Sequence, residues 1–228
     1  MSNEGRMQSS SVSLTLSPEV TPYFYALRDR VLGALGERGG AGHTIVMTSC
    51  HSGEGVSAVA LNFALALSKA DEHGAVLLCD ANAEAPMVHK LFQIDLSPGL
   101  TEAVAGRADL KAAIHHTGVE SLDVLPAGDG AMSLSGVVDS PRLVPLLASL
   151  KQSYRVIVFD AAPLIECSAT ARLAAVTDGT ILVLEAERQR WEVAQKATDL
   201  LTDAGAKILG AVLNKRKYHI PEFLYHRL

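Results

Sequence analysis

Short apolar runs separated by stretches with helical spacing set the rhythm of this chain. The runs "HTIVMTS" (43–49), "AVLLCD" (75–80), "LDVLPAG" (122–128), "YRVIVFD" (154–160), "TILVLEA" (180–186) and "KILGAVLNK" (207–215) have the length and continuity of buried strands. Between them, residues 57–69, 100–113, 141–150, 169–176 and 191–204 carry helical periodicity. A strand covered on both faces has no polar side to show, so its apolar residues run on without alternation. The pattern therefore predicts an α/β fold, a doubly wound, mostly parallel sheet with helices on both faces. Ahead of it, residues 18–35 predict one more helix, with Phe24, Leu27, Val31 and Leu35 on one side. Trp191 opens the last helix, whose Ala194, Ala197, Leu200 and Leu201 face one way, and is expected in the core.

The remaining segments set the expected organisation. Residues 1–17, "MSNEGRMQSSSVSLTLS", are serine-rich and read as a disordered N-terminal tail. Residues 18–42 hold the first helix and the glycine-rich linker "GERGGAG" (36–42). The main domain is expected over 43–217, with a C-terminal tail at 218–228 containing Tyr218 and Tyr225. That tail, "YHIPEFLYHRL", fits phosphate acceptance at its tyrosines, docking on a membrane or partner, or simple packing on the domain.

A formal charge of −5 argues against nucleic acid as a partner, because that partner needs a concentrated basic face. Cys50, Cys79 and Cys167 are odd in number and widely spaced, which points to buried reduced thiols in a cytoplasmic protein. No apolar leader opens the sequence, and no run reaches the roughly 18 apolar residues of a membrane span. A role at the inner face of the membrane is accordingly expected to come through a partner.

The candidate chemistry collects at the ends of the strands, where open α/β sheets bind their ligands. "TSCHSGEGVS" (48–57) has the strand–glycine turn–helix context of a phosphate-binding loop. Gly53, Glu54, Gly55 and Val56 would offer backbone N–H groups to phosphate, and Ser57 a hydroxyl to Mg²⁺. The formal pattern is broken twice, by Cys50 at its first glycine and by Val56 at its lysine. The same residues also fit a tight turn without a ligand. Asp80 and Asp160 end adjacent strands and join Ser57 as candidate metal ligands; the alternative is that each merely caps a turn.

Taken in order, these segments resemble the bacterial tyrosine kinase family, P-loop NTPase-like proteins related to the MinD and ParA ATPases. "TSCHSGEGVSAVALNFALALS" is similar to the family's Walker A segment, and "VLLCDANAEAPMVHKLF" to its second motif, with Asp80, Pro86, His89 and Phe92 in place. "LSPGLTEAVAGRADLKAAI" and "LDVLPAGDG" resemble its middle section, "VIVFDAAPL" its Walker B strand, and "GAVLNKRKYHIPEFLYHRL" its last strand and tyrosine-bearing tail. The resemblance implies ATP or ADP with Mg²⁺ as cofactors, Asn214 at the adenine, Asp80 as a catalytic candidate, and Tyr218 and Tyr225 as phosphoacceptors. It also implies a role in capsule or exopolysaccharide biosynthesis beside a membrane polysaccharide co-polymerase, whose cytoplasmic segment would be the partner. A homo-oligomer or an active kinase paralogue is a further expected partner.

The departures fall on charged positions. Val56 replaces the Walker lysine, Asn82 the second aspartate of the second motif, and Glu84 and Ala85 an arginine pair. Ala161 and Ala162 replace a polar residue and a proline, and Ala169 an aspartate. The oligomerising E-x-x-R-x-x-R maps to Pro22, Tyr25 and Arg28, leaving only its last arginine. The expectation is a degenerate, kinase-like scaffold or regulatory subunit with weak or absent ATP turnover. An active autophosphorylating kinase that controls polysaccharide chain length, borrowing a cation from Lys215, Arg216 or a partner, is the alternative. A ParA- or MinD-like positioning ATPase is the third reading, and the charge of −5 does not favour its DNA-binding form.

Overall fold

The computed structural model describes residues 14–36, 41–69, 74–130, 132–188 and 190–216. Both candidate phosphoacceptors, Tyr218 and Tyr225, lie outside these described residues.

Seven strands form one sheet: β1 (His43–Ser49), β2 (Val76–Ala81), β3 (His115–His116), β4 (Leu122–Leu125), β5 (Val156–Ala161), β6 (Gly179–Glu185) and β7 (Ile208–Asn214). Their order is β3-β4-β2-β5-β1-β6-β7. Every pairing is parallel except that of β3 with β4. β1, β2 and β5 are buried along their whole length, as their unbroken apolar runs predict.

Alternation persists inside those runs, but it sorts residues between two cores instead of between core and water. Ile45, Met47, Val76, Leu78, Val156 and Val158 point to one side. Val46, Leu77, Cys79, Ile157 and Phe159 point to the other. The first side is covered by α1 (Thr21–Leu35), α2 (Val56–Ser68) and α3 (Val88–Phe92). The second is covered by α4 (Leu100–Ala105), α5 (Leu110–Ala113), α6 (Leu134–Asp139), α7 (Leu143–Ser153), α8 (Ala169–Ala175) and α9 (Trp191–Asp203). Each fully buried Leu, Ile or Phe contributes roughly 1.5–3 kcal/mol of transfer free energy, so both layers are strongly held.

α2 is apolar nearly all round because it is sandwiched between the sheet and α1. Phe24, Leu27, Val31 and Leu35 of α1 pack toward this layer, on the side their spacing predicts. Arg28 donates to the Ala66 carbonyl near the end of α2 at 3.4 Å and stacks over Tyr25 at 4.8 Å. The last arginine of the family's oligomerising pattern therefore joins α1 to its own domain.

Two local expectations need correcting. The helix predicted over 100–113 is two short helices, because Gly106 takes a left-handed conformation (φ 71°) that ends α4. Trp191 is 74% exposed, so it is not a core residue. The buried side of α9 is instead carried by Ala197 and Leu201.

Candidate functional site

Residues 50–55 connect β1 to α2 as a tight loop at the C-terminal rim of the sheet. Gly53 (φ 84°) and Gly55 (φ 91°) take left-handed backbone conformations that a side chain would strain. The loop is braced from within by Glu54, which is only 4% exposed. One of its carboxylate oxygens accepts the backbone N–H of Cys50 at 2.9 Å and of His51 at 3.4 Å. Burial, with the Glu54 charge adding to it, pushes the Cys50 thiol up to about 12, so this cysteine is an inert core thiol.

The loop is also held from outside. Asn214, at the end of β7, donates its side-chain N–H to the Glu54 carbonyl at 2.9 Å. The next residue, Lys215, bonds through Nζ to the Gly53 carbonyl and lies 3.3 Å from a Glu185 carboxylate oxygen. A Cβ on Gly55 would stand 2.3 Å from the Asn214 amide nitrogen, so glycine is the residue that permits this close approach. On the other flank, Glu166 accepts the backbone N–H of Ser52 at 2.8 Å and also takes the Ser52 hydroxyl. The Ser52 donors hold the Glu166 carboxyl below the usual carboxylate range.

Val56, at the position where the resemblance expects lysine, is the first residue of α2 and belongs to the apolar layer beneath it. It is 8% exposed and brings no polar atom to the loop.

Parallel pairing of β2 with β5 sets Asp80 directly beside Asp160. Their environments differ. Asp80 accepts the backbone N–H groups of Asn82 (3.0 Å), Met87 (2.8 Å) and Val88 (3.0 Å), so both its oxygens organise the segment leading into α3. Burial raises its pKa, and those three N–H bonds oppose the rise. Asp160 is also buried, with Oδ2 left without a partner. Burial, then the neighbouring Asp80 charge, push it up to about 7, while a hydrogen bond from Ser57 opposes them. An orphaned carboxylate oxygen beside a serine hydroxyl is the donor chemistry that suits a hard cation such as Mg²⁺. Among the described residues no three His, Cys, Asp or Glu side chains form a self-sufficient metal site. A cation here would complete its shell with water and phosphate oxygens.

The fold thus brings Gly53, Glu54, Gly55, Ser57, Asp80, Asp160 and Asn214 to one rim, with Val56 turned into the core beneath them. Sequence reasoning left open the distance of Lys215 from the loop and did not single out Glu166. Both contacts join segments more than 100 residues apart, and no local spacing rule signals them. Beyond Asn214, a groove of about 700 Å³ runs between the ends of β6 and β7 and the start of α9, lined by Glu185, Trp191, Leu213 and Arg216 among others.

The strand order and the glycine turn entering a helix define a P-loop NTPase-like domain. The septum site-determining protein MinD of Pyrococcus horikoshii OT3, solved in complex with Mg-ADP, superposes with a TM-score of 0.60 at 26% identity, over 82% of this chain and 76% of that one. No protein-family model matches the sequence. The chain is 30% identical over 172 residues to CapB of Staphylococcus aureus, a putative tyrosine-protein kinase, with 75% of each protein covered. The chimerical protein CapA2B2 is similar in structure, with a TM-score of 0.80 at 26% identity over 89% of this chain and 87% of that one. The chain belongs to the bacterial tyrosine-protein kinase family.

Proposed function

We propose that this chain acts in exopolysaccharide or capsule biosynthesis as a kinase-shaped regulatory subunit that binds nucleotide weakly and transfers phosphoryl groups poorly or not at all. Val56 carries this reading: the position that should deliver a full positive charge to the transferring phosphate is an apolar side chain packed in the core. Phosphoryl transfer depends on positioning and charge stabilisation. Loss of one such donor costs on the order of 10²–10³-fold in turnover. The Glu166 carboxylate, held below the usual carboxylate range by Ser52 at the same rim, adds negative charge where phosphate would bring more.

Binding retains more of its parts than turnover does. The amides of Gly53, Glu54, Gly55, Val56 and Ser57 would cradle the phosphates of ATP or ADP, and Asn214 lies on the side of the base. Ser57 and Asp160, with Asp80 beside them, would hold Mg²⁺. That ion supplies charge neutralisation for the phosphate oxygens when bound. Asp80 suits this arrangement better as an organiser of residues 82–88 than as a catalytic base, since three amides occupy its carboxylate.

The proposed partner is the cytoplasmic segment of a membrane polysaccharide co-polymerase, which would bring the chain to the inner face of the membrane. Among the described residues no helix is long and apolar enough to cross a membrane. The test is incubation of the purified chain with labelled ATP and Mg²⁺, alone and with that segment. No label on the wild type is expected. Label that disappears when Tyr218 and Tyr225 are both changed to Phe would overturn the reading and restore the autophosphorylating kinase.

A further inference from the structure

The loss of the loop lysine has a counterpart just past the end of β7. We infer that Lys215 supplies the positive charge missing at Val56, reaching the phosphate loop from the end of the sheet instead of from the first turn of α2. The inference rests on the nucleotide binding proposed above and assigns it a cation.

Several independent features direct Lys215 to the loop. Its backbone is left-handed (φ 56°), a conformation uncommon for a residue with a side chain. Its neighbour Asn214 is already fixed to the Glu54 carbonyl, so residues 214 and 215 grip two consecutive loop carbonyls, Glu54 and Gly53. The lysine stem runs beside the loop, its Cε lying 3.8 Å from where a Cβ on Gly55 would stand. Glu185 stands 3.3 Å from the ammonium and holds it at the rim.

This placement has two consequences for a bound phosphate. When consecutive carbonyls of a tight loop are bonded outward, the intervening N–H groups are free to converge on the opposite side, which is how a phosphate nest is built. The clamp therefore favours the binding-competent shape of the loop before any ligand arrives. The ammonium is also a mobile charge on a flexible four-carbon stem. It can leave the neutral Gly53 carbonyl for an anionic phosphate oxygen, exchanging an ordinary hydrogen bond for a stronger charge-assisted one. Nothing comparable is available to Val56.

The experiment is isothermal titration of the full chain with ADP and Mg²⁺, comparing the wild type with Lys215→Met, Lys215→Gln, Val56→Lys and Val56→Lys/Lys215→Met. Thermal melting without nucleotide checks that each variant folds. The Lys215 replacements should, because that side chain is 45% exposed. Val56→Lys puts an ammonium at a buried position, and its rescue is read only from a chain that passes this check. Either replacement of Lys215 is expected to weaken ADP binding about tenfold to a hundredfold, the scale of one charge-assisted hydrogen bond. Val56→Lys in the Lys215→Met background is expected to restore most of that loss, because the two positions would serve one charge. Equal binding by wild type and Lys215→Met would overturn the inference while leaving the proposed function standing. A loss that Val56→Lys does not repair would overturn it too, reducing Lys215 to a brace. A wild type that gives no heat at millimolar ADP would remove both this inference and the nucleotide-binding part of the proposed function.

Discussion

Glu166 accepts the backbone N–H of Ser52 at 2.8 Å, so an amide at the entrance of the loop between β1 and α2 is already answered by an anion of the chain itself. The same carboxylate takes the Ser52 hydroxyl and lies 3.8 Å from the His51 ring. A phosphate approaching this flank must displace Glu166 or tolerate its charge. Glu166→Gln keeps an oxygen that accepts hydrogen bonds and removes the charge. It is expected to tighten ADP–Mg²⁺ binding about fivefold, the scale of one exposed charge interaction. Titration at low and physiological salt checks this. The gain should shrink as salt screens the charge, and weaker binding in the variant would show that Glu166 holds the loop open instead of competing for it.

Asp160 gives the site a pH dependence whose sign is fixed by its environment. Its folded-state value is raised from 3.8 to about 7, by burial first and by Asp80 second. The neutral form is thus favoured in the folded chain. Its contribution to stability is complete below the unfolded value and is lost as pH rises through about 7. Asp160→Asn imitates the neutral form and is expected to exceed the wild type in stability at pH 8 by on the order of 3 kcal/mol. The difference should narrow as pH falls from 7 and close below 3.8, where the wild-type carboxyl is protonated in both states. Mg²⁺ requires the ionised carboxylate, so it should raise the wild-type melting temperature more at pH 8 than at pH 5.5 and should barely move the variant. Urea unfolding at both pH values decides the matter. A variant less stable than wild type at pH 8 would mean that the ionised carboxylate is already satisfied in the fold.

Asp80 predicts a different kind of damage. Its carboxylate bonds the N–H groups of Asn82, Met87 and Val88, and it is fully buried. Asp80→Ala leaves these donors without their acceptor and is expected to cost about 2–4 kcal/mol, a few times the price of one unmade bond. Hydrogen exchange should rise at residues 82–88 before the rest of the sheet. Loss of binding in this variant, without a check on folding, would therefore say little about metal ligation. A variant of unchanged stability would show that water replaces the carboxylate at these amides.

The strands were legible because their physics is local. Uninterrupted apolar runs such as "VIVFD" belong where both faces are covered, and Asp80 and Asp160 fall beside each other once those runs pair. Shorter features were not legible. β3 is two residues long, His115 and His116, and is made by antiparallel pairing with β4, not by any pattern of its own. The break at Gly106 was hidden because apolar residues on either side continue the helical rhythm. The contacts that most change the view of the site, Lys215 on Gly53 and Glu166 on Ser52, are products of topology. Asn214 drew attention to the end of β7, but its neighbour's left-handed turn carries no signal in composition.

Trp191 offers an optical test of the groove that begins beyond Asn214. It is the only tryptophan in the chain and is 74% exposed, and Leu213, also largely exposed, lines the same groove. An exposed indole beside an apolar wall is a natural stacking surface for a planar base, worth about 1–3 kcal/mol where such stacking occurs. If nucleotide binds with its base on the Asn214 side of the loop, ADP with Mg²⁺ should change the Trp191 emission while pyrophosphate with Mg²⁺ should not. Trp191→Phe should abolish the signal and keep measurable binding by calorimetry. The same response to pyrophosphate would assign the optical change to movement of the phosphate loop. No response to a nucleotide that calorimetry shows to be bound would place the base elsewhere and leave the groove for another ligand.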